Sequence, residues 1–275
     1  MPETVAHAGK SVSRALAEAT AALEVAGCDT PRLDAELLLS FVLGAGRERL
    51  LIDAFAELDR TALERFAALV ARREAREPVA YIIGRKAFRR IALSVDHRVL
   101  IPRPETELLV EVALSLDRGA RVADVGTGSG AVALALKEER PDLAVVGVDI
   151  SADALAVARA NAAELGLDVE FVRADLLEGV PGPFDAVLAN LPYVADEAGL
   201  PPEIELYEPS LALFGGPDGM DVTRRLLSMV GGVPLVVLEV GLGEAVASLV
   251  ADAGFSSVEI LRDLAGHERV VVGRR

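Results

Sequence analysis

The sequence predicts an α/β fold: a doubly wound, mostly parallel seven-stranded sheet with an antiparallel last strand, preceded by a small N-terminal helical bundle. Three observations lead there. From Arg121 onward, short apolar β-prone runs alternate with helical patterns, the layout of a sheet covered on both faces. The last two strand-like runs, SSVEILRD and RVVVGRR, are separated only by AGHE. That link is too short for the crossover parallel neighbours need, so the pair is an antiparallel hairpin. The first 76 residues, by contrast, carry helical spacing throughout.

The elements follow in order. In SVSRALAEATAALEVAG, the apolar positions Val12, Leu16, Ala19, Leu23 and Ala26 fall three or four apart, and Gly27 supplies the stop. Thr30-Pro31 opens a second helix, since proline is tolerated at the first helical position. Thr61 and Glu64 read as a capping box for a third helix, which Glu77-Pro78 ends. Residues 79–103 change character, with Gly84 between two short β-prone stretches that read as a hairpin-like connector. Pro102 and Pro104 then stiffen the approach to a helical pattern over 105–116. The chain therefore divides into a helical recognition domain over 1–76, a linker over 77–103 and a catalytic domain over 104–275. Within the last, strands are expected in RVADVG, LAVVGVD, VEFVRAD, FDAVLAN and PLVVLEV, with helices between them.

Composition narrows the function. A chain of 275 residues that is 52% hydrophobic has ample material for a core, which excludes a disordered chain. No apolar run approaches the roughly 18 residues of a membrane span, and MPETVAHAGK does not read as an export signal, so a soluble cytoplasmic protein is expected. A lone Cys28 excludes an internal disulfide, and three scattered histidines exclude a Cys/His metal cluster. His97 and His267 read as turn or surface residues. The net charge of −15 argues against DNA as a partner. That total hides a basic belt: residues 72–103 carry +6, against −4 before them and −17 after. Such a belt is either a solvated connector whose arginines pair with neighbouring acids or a stripe that docks an acidic partner surface.

Two loops carry chemistry. RVADVG runs into GTGSG and a helix, so Gly126, Gly128 and Gly130 permit a tight turn that lets another molecule approach backbone amides. Asp149 ends the next strand, nineteen residues after Gly130, where ribose hydroxyls would lie. The spacing is G-x-G-x-G rather than the dinucleotide G-x-G-x-x-G, and Asp124 before it would repel phosphates and suit a cation. Asp175 closes the third strand, where an N-cap or turn role competes with cofactor binding. FDAVLAN ends in Asn190-Leu191-Pro192-Tyr193, at the strand ends that line the ligand crevice of such sheets. An asparagine oxygen and a backbone carbonyl can together accept both hydrogens of one –NH2 group. The lone pair of an amine conjugated to a carbonyl or ring is delocalised, and two fixed acceptors would aim it by orientation rather than by a strong base. Tyr193 offers a flat face for such a planar group. Glu105 and Glu107 read as helix-start acids, and Glu239 as a capping carboxylate.

DVGTGSG resembles the first motif of class I methyltransferases, and NLPY is similar to the N-P-P-Y motif of those acting on planar amino groups, with Leu191 in place of the first proline. Leu191 still precedes Pro192, which holds it extended. EPVAYIIGRKAF, VLIPRPETELLVE, YEPSLALFGGPDGM and DLAGHERVVVGRR resemble the peptide chain release factor glutamine methyltransferases, the HemK/PrmC family. The resemblance implies S-adenosylmethionine as cofactor, S-adenosylhomocysteine as product, and no metal. It places cofactor contacts at Asp124, Gly126, Thr127, Gly128, Ser129, Gly130, Asp149, Asp175, Leu176 and Asn190. It places substrate contacts and catalysis at Asn190, Leu191, Pro192 and Tyr193, and has the IPRPETE stretch wall the cofactor pocket. The implied partners are class 1 release factors, methylated on the glutamine of a Gly-Gly-Gln motif. Competing readings are a ribosomal-protein glutamine methyltransferase and an N6-adenine nucleic-acid methyltransferase, the latter opposed by the −17 catalytic region. An NAD-dependent oxidoreductase lacks a phosphate-compatible loop, and a binding module would follow if Leu191 disabled the loop.

Overall fold

The computed structural model describes residues 10–275, and residues 1–9, read above as no export signal, lie outside the described residues. Two units are present: one holds residues up to Gly84 together with Pro201–Tyr207, the other Arg85–Leu200 with Glu208–Arg275.

In the first unit, β1 (Lys10–Ser11) leads into α1 (Val12–Val25), followed by α2 (Pro31–Leu43), α3 (Arg47–Ile52), β2 (Glu57–Leu58), α4 (Arg60–Glu74) and α5 (Val79–Ile83). Leu16, Leu23, Leu38, Leu39, Phe66, Val70 and Ile82 interlock as its core. The Ser11 hydroxyl caps α1 by accepting from Arg14 N at 3.3 Å. Asp59, not Thr61, caps α4, accepting from Ala62 N at 2.7 Å. Arg60 and Thr61 already lie in the helix, so the cap falls two residues upstream of the expected capping box. The β-prone VAYII of 79–83 is a short helix rather than a strand, opened by Pro78 and closed by Gly84 in the left-handed conformation (φ 76°). Beneath α4 the buried Arg73 guanidinium donates to Asp34 at 2.8 Å and to Glu203 at 2.9 Å, and Arg76 donates to the other Glu203 oxygen at 2.6 Å.

The second unit opens with a hairpin, β3 (Arg85–Phe88) and β4 (Ile91–Ser94), turning at Arg89 with φ 48°. A 3-10 turn (Pro104–Thr106) then leads into α6 (Glu107–Ala113). Next come β5 (Arg121–Val125), α7 (Ala131–Glu139), β6 (Ala144–Asp149), α8 (Ala152–Leu165), β7 (Glu170–Arg173) and β8 (Ala186–Asn190). The Pro202–Tyr207 helix, α9, belongs to the first unit and is followed by α10 (Asp221–Met229), β9 (Leu235–Glu239), α11 (Gly243–Asp252), β10 (Ser257–Arg262) and β11 (Glu268–Arg274). The sheet order is β10-β11-β9-β8-β5-β6-β7, with β5 to β9 mutually parallel and β11 antiparallel to both neighbours. This is the predicted seven-stranded sheet. Residues 131–136 of α7 are buried on every side, as befits a helix that is apolar all round. Chain order runs outward from β5 to β6 and β7, then returns to β8 beside β5. The topological switch point therefore lies at the carboxyl ends of β5 and β8, where such sheets hold ligands.

Candidate active site

The loop after β5 is held from below. Gly126 N and Thr127 N both donate to Val148 O, at 2.8 and 2.9 Å. Gly126 and Gly128 adopt φ values of 76° and 56°, which only glycine takes without strain. A Cβ on Gly126 would sit 3.2 Å from a Leu191 methyl and 3.4 Å from Asn190 O, so the two loops touch. Gly130, also left-handed at φ 83°, is the N-cap of α7, and a Cβ there would press on Leu134 and Ala158. From α8, the buried Asn161 amide donates to Ser129 O (2.9 Å) and Ser94 O (3.1 Å) and accepts from Ser94 N (2.8 Å). This clasp on the glycine loop was missed from sequence, because an asparagine inside a helical pattern carries no local signal.

The acids have distinct settings. Asp124 is buried, accepts from the Thr127 hydroxyl at 2.6 Å and Ala133 N at 3.1 Å, and is pushed up to about 6 by burial. Asp149 accepts from Gly128 N and Ser151 N, each at 2.9 Å, and burial raises it as well. Asp175 pairs with Arg225 at 2.8 Å. Its neighbour Leu176 is buried with φ 53°, a left-handed leucine whose strain costs about 1–2 kcal/mol and is held at the wall of a cavity.

That cavity, of about 230 Å³, lies over the switch point. It is lined by residues 124–129, Asp149, 174–176, Asn190, Leu191 and Pro192, with Pro102 and Thr106 of the IPRPETE stretch. Gly130 and Tyr193 do not line it. The Tyr193 ring lies against Gly241, and its hydroxyl faces Glu239 Oε1 at 3.5 Å. Burial, then the Glu239 charge, raises the Tyr193 phenol to about 12.

Glu239 is no helix cap. It stands opposite Asn190 in the β8–β9 register, is 4% exposed, and accepts from the Thr106 hydroxyl at 2.5 Å. Asn190 Nδ2 in turn donates to Thr106 Oγ1 at 3.1 Å. Glu107, read as a helix-start acid, accepts from Arg89 N at 3.0 Å. Buried Glu208 joins the IPRPETE and YEPS segments, taking Arg103 at 2.6 Å and Ile101 N at 3.3 Å.

Backbone contacts fix the LPYV loop in addition to its one proline, Pro192. Val194 N donates to Leu213 O and Gly215 N to Val194 O, each at 2.9 Å. A Cβ on Gly215 would meet Pro192 O at 2.3 Å, and one on Gly219 would meet Tyr193 O at 2.3 Å. Glycines of FGGPDG thus let one main chain lie directly on the other, and buried Leu191 joins the sheet core. Eight of the nine cations of the basic belt, Arg72, Arg73, Arg76, Arg85, Arg89, Arg90, Arg98 and Arg103, each have a carboxylate within 4.0 Å. Arg89, the turn residue, is 13% exposed and bound to the nearly buried Glu139. The pairing alternative describes these arginines.

Sheet order, switch-point cavity and glycine loop define a methyltransferase of the class I type. Residues 104–201 match the methyltransferase small domain, and residues 14–84 the PrmC N-terminal domain. Among solved structures, a Pyrococcus furiosus methyltransferase aligns with a TM-score of 0.53 at 19% identity, covering 76% of this chain and 96% of its own. The T. thermophilus 16S rRNA methyltransferase in complex with AdoMet and guanosine aligns with a TM-score of 0.51 at 17% identity, covering 70% and 49%. Both likenesses concern the fold. The release factor glutamine methyltransferase of Deinococcus radiodurans is 41% identical, covering 94% of this chain and 97% of its own. That of Mycolicibacterium smegmatis is 40% identical over 95% and 96%. The chain belongs to the release factor glutamine methyltransferase family.

Proposed function

We propose that this chain transfers a methyl group from S-adenosylmethionine to the side-chain amide nitrogen of the glutamine in the Gly-Gly-Gln motif of class 1 peptide chain release factors. The observation that carries the reading is the orientation of Asn190. Its Nδ2 is engaged by Thr106, which leaves Oδ1 as the acceptor on a residue that lines the cavity beside the glycine loop. An acceptor there suits a substrate amide, whose nitrogen has hydrogens to donate and a lone pair too delocalised to attack unaided.

The cavity residues fit the cofactor. Two carboxylates, Asp124 and Asp149, and a loop of backbone amides meet apolar walls at Val148, Ile150 and Leu176, a donor set that favours a cationic nucleoside over a pyrophosphate. Each Asp149 oxygen holds one backbone N–H and keeps lone-pair capacity for a ribose hydroxyl. When bound, S-adenosylmethionine supplies an electrophilic methyl on a sulfonium. The chain's own part is to hold: Asp124 and Asp149 place the cofactor, and Asn190 Oδ1 with the Leu191 carbonyl orients the glutamine amide. Pro192 fixes Leu191 in the extended conformation that presents this carbonyl. The Tyr193 ring, set against Gly241, is outside the set of residues lining the cavity. We assign the helical unit to release-factor recognition and place the reaction in the cytoplasm, without a metal, DNA or a membrane. No helix among the described residues is long and apolar enough to cross a membrane.

The test is methyl transfer from labelled S-adenosylmethionine to a class 1 release factor, to ribosomal proteins and to duplex DNA, offered separately. Label should enter the release factor and vanish when its Gly-Gly-Gln glutamine is changed to alanine. Label confined to ribosomal protein or DNA refutes the assignment.

A further inference from the structure

We infer that Glu239, acting through the Thr106 hydroxyl, decides which end of the Asn190 amide faces the cavity, making both positioning residues for the substrate amide. The inference rests on the function proposed above. Its basis is the count of hydrogens in a buried chain of four groups. An ionised carboxylate is an acceptor only. Thr106 has one hydroxyl hydrogen, and at 2.5 Å from Glu239 Oε2 that hydrogen is committed. Only oxygen lone pairs remain for Asn190, so the amide must turn its Nδ2 toward Thr106, as it does at 3.1 Å. Planarity of the amide then sends Oδ1 the other way.

A protonated Glu239 reverses the sequence of donors. Its hydroxyl could donate to Thr106, freeing the threonine hydrogen for Asn190 Oδ1. The amide would rotate by about 180°, and an –NH2 group would meet the –NH2 of the substrate, donor against donor. The ionised carboxylate is thus the competent form. The groups facing it are Tyr193 on the LPYV loop, Glu105 on the 3-10 turn and Arg269 of β11. Glu107 and Glu111 of α6, which also packs on β9, are turned to Arg89, and Asp218 is turned to Arg224. Burial, reinforced by Glu105 and opposed chiefly by the Thr106 hydrogen bond, raises Glu239 to about 7. The switch between donor orders therefore falls in the working range of a cytoplasmic enzyme.

The experiment uses the full chain, labelled S-adenosylmethionine and a class 1 release factor, between pH 5.5 and 9. Thr106→Val should lower kcat about tenfold, the value of one oriented hydrogen bond, with KM and cofactor Kd changed less than about twofold. Thr106→Ser, which keeps the hydroxyl, should restore kcat. Wild-type kcat should fall on the acid side of about pH 7, and Glu239→Gln should lose that limb. In the wild-type protein without substrate, the side-chain amide resonances of Asn190 should titrate over the same range and stay constant in Glu239→Gln. Full kcat in Thr106→Val, no rescue by serine, or an unchanged acid limb in Glu239→Gln would overturn the inference. If wild-type protein labels no release factor, the functional proposal falls. The Asn190 resonances then decide this one, and a signal indifferent to pH refutes it.

Discussion

Replacing Gly215 with alanine tests whether the 211–220 segment sets the position of the LPYV loop. Gly215 lies outside the left-handed region, so the substitution adds a methyl without backbone strain. That methyl would lie 2.3 Å from Pro192 O and 2.6 Å from Gly219 O, where ordinary contacts begin at 3.4 Å. Both neighbours are main chain, so no side chain can swing aside, and the LPYV loop must shift by about 1 Å. A misplacement of that size near reacting atoms lowers the rate about 100-fold. Overpacking costs about 1–3 kcal/mol, which lowers Tm by roughly 2–4 °C per kcal/mol for a chain of this size. Single-turnover methyl transfer, read beside a calorimetric melt, measures both. Gly232→Ala is the control, since its added Cβ meets nothing within 4 Å. If Gly215→Ala transfers methyl at the wild-type rate, the apposed main chains do not position the loop, and the reasoning fails.

Three further outcomes follow from the site. Asn190→Ala should cut transfer by about 10²-fold, as loss of one preorganised polar group does, while cofactor Kd by calorimetry stays within about threefold. Retained transfer would remove Asn190 from the reaction. Arg89→Glu should destabilise by about 3 kcal/mol, because it sets a carboxylate against the nearly buried Glu139. The folded fraction should keep the wild-type KM for the release factor, and a raised KM would restore the belt as a docking stripe. Asp124 has its pKa raised above the unfolded value, so the folded state favours its neutral form. Stability contributed by this group is then greatest below about pH 4 and falls as pH rises to about 6. Asp124→Asn should flatten the dependence of stability on pH over that window, by about 3 kcal/mol, and an unchanged slope would count against a buried, titrating Asp124.

Legibility in the sequence followed the range of the interactions. Strand β5, its glycine turn and Asp149 were readable because one βαβ unit contains them, and Asn190 because it ends a β-prone run. The helix at 79–83 was misread since Val79, Ile82 and Ile83 are β-branched, and only the flanking Pro78 and Gly84 decide the matter. Helix α3 escaped notice because RERLLI is too short to show a period. Thr106 and Glu239 are 133 residues apart, and neither carries a local mark of the other. The belt stayed open between pairing and docking because several of its partners are remote in sequence: Glu139 is 50 residues from Arg89 and Glu208 is 105 from Arg103. The left-handed Leu176 follows from no propensity, since the surrounding packing imposes it.

The ion cluster around Arg73 also sets a schedule. Asp34 is present when the helical unit leaves the ribosome, but Glu203 follows Arg73 by 130 residues. At about 5–20 residues per second, that delay is on the order of ten seconds. Throughout that interval the nascent bundle carries Arg73 and Arg76 without their shared carboxylate, and Tyr207 is absent from its bond to Ala75 O. The N-terminal helices are first to be made, yet their unit is finished only after most of the sheet has been synthesised.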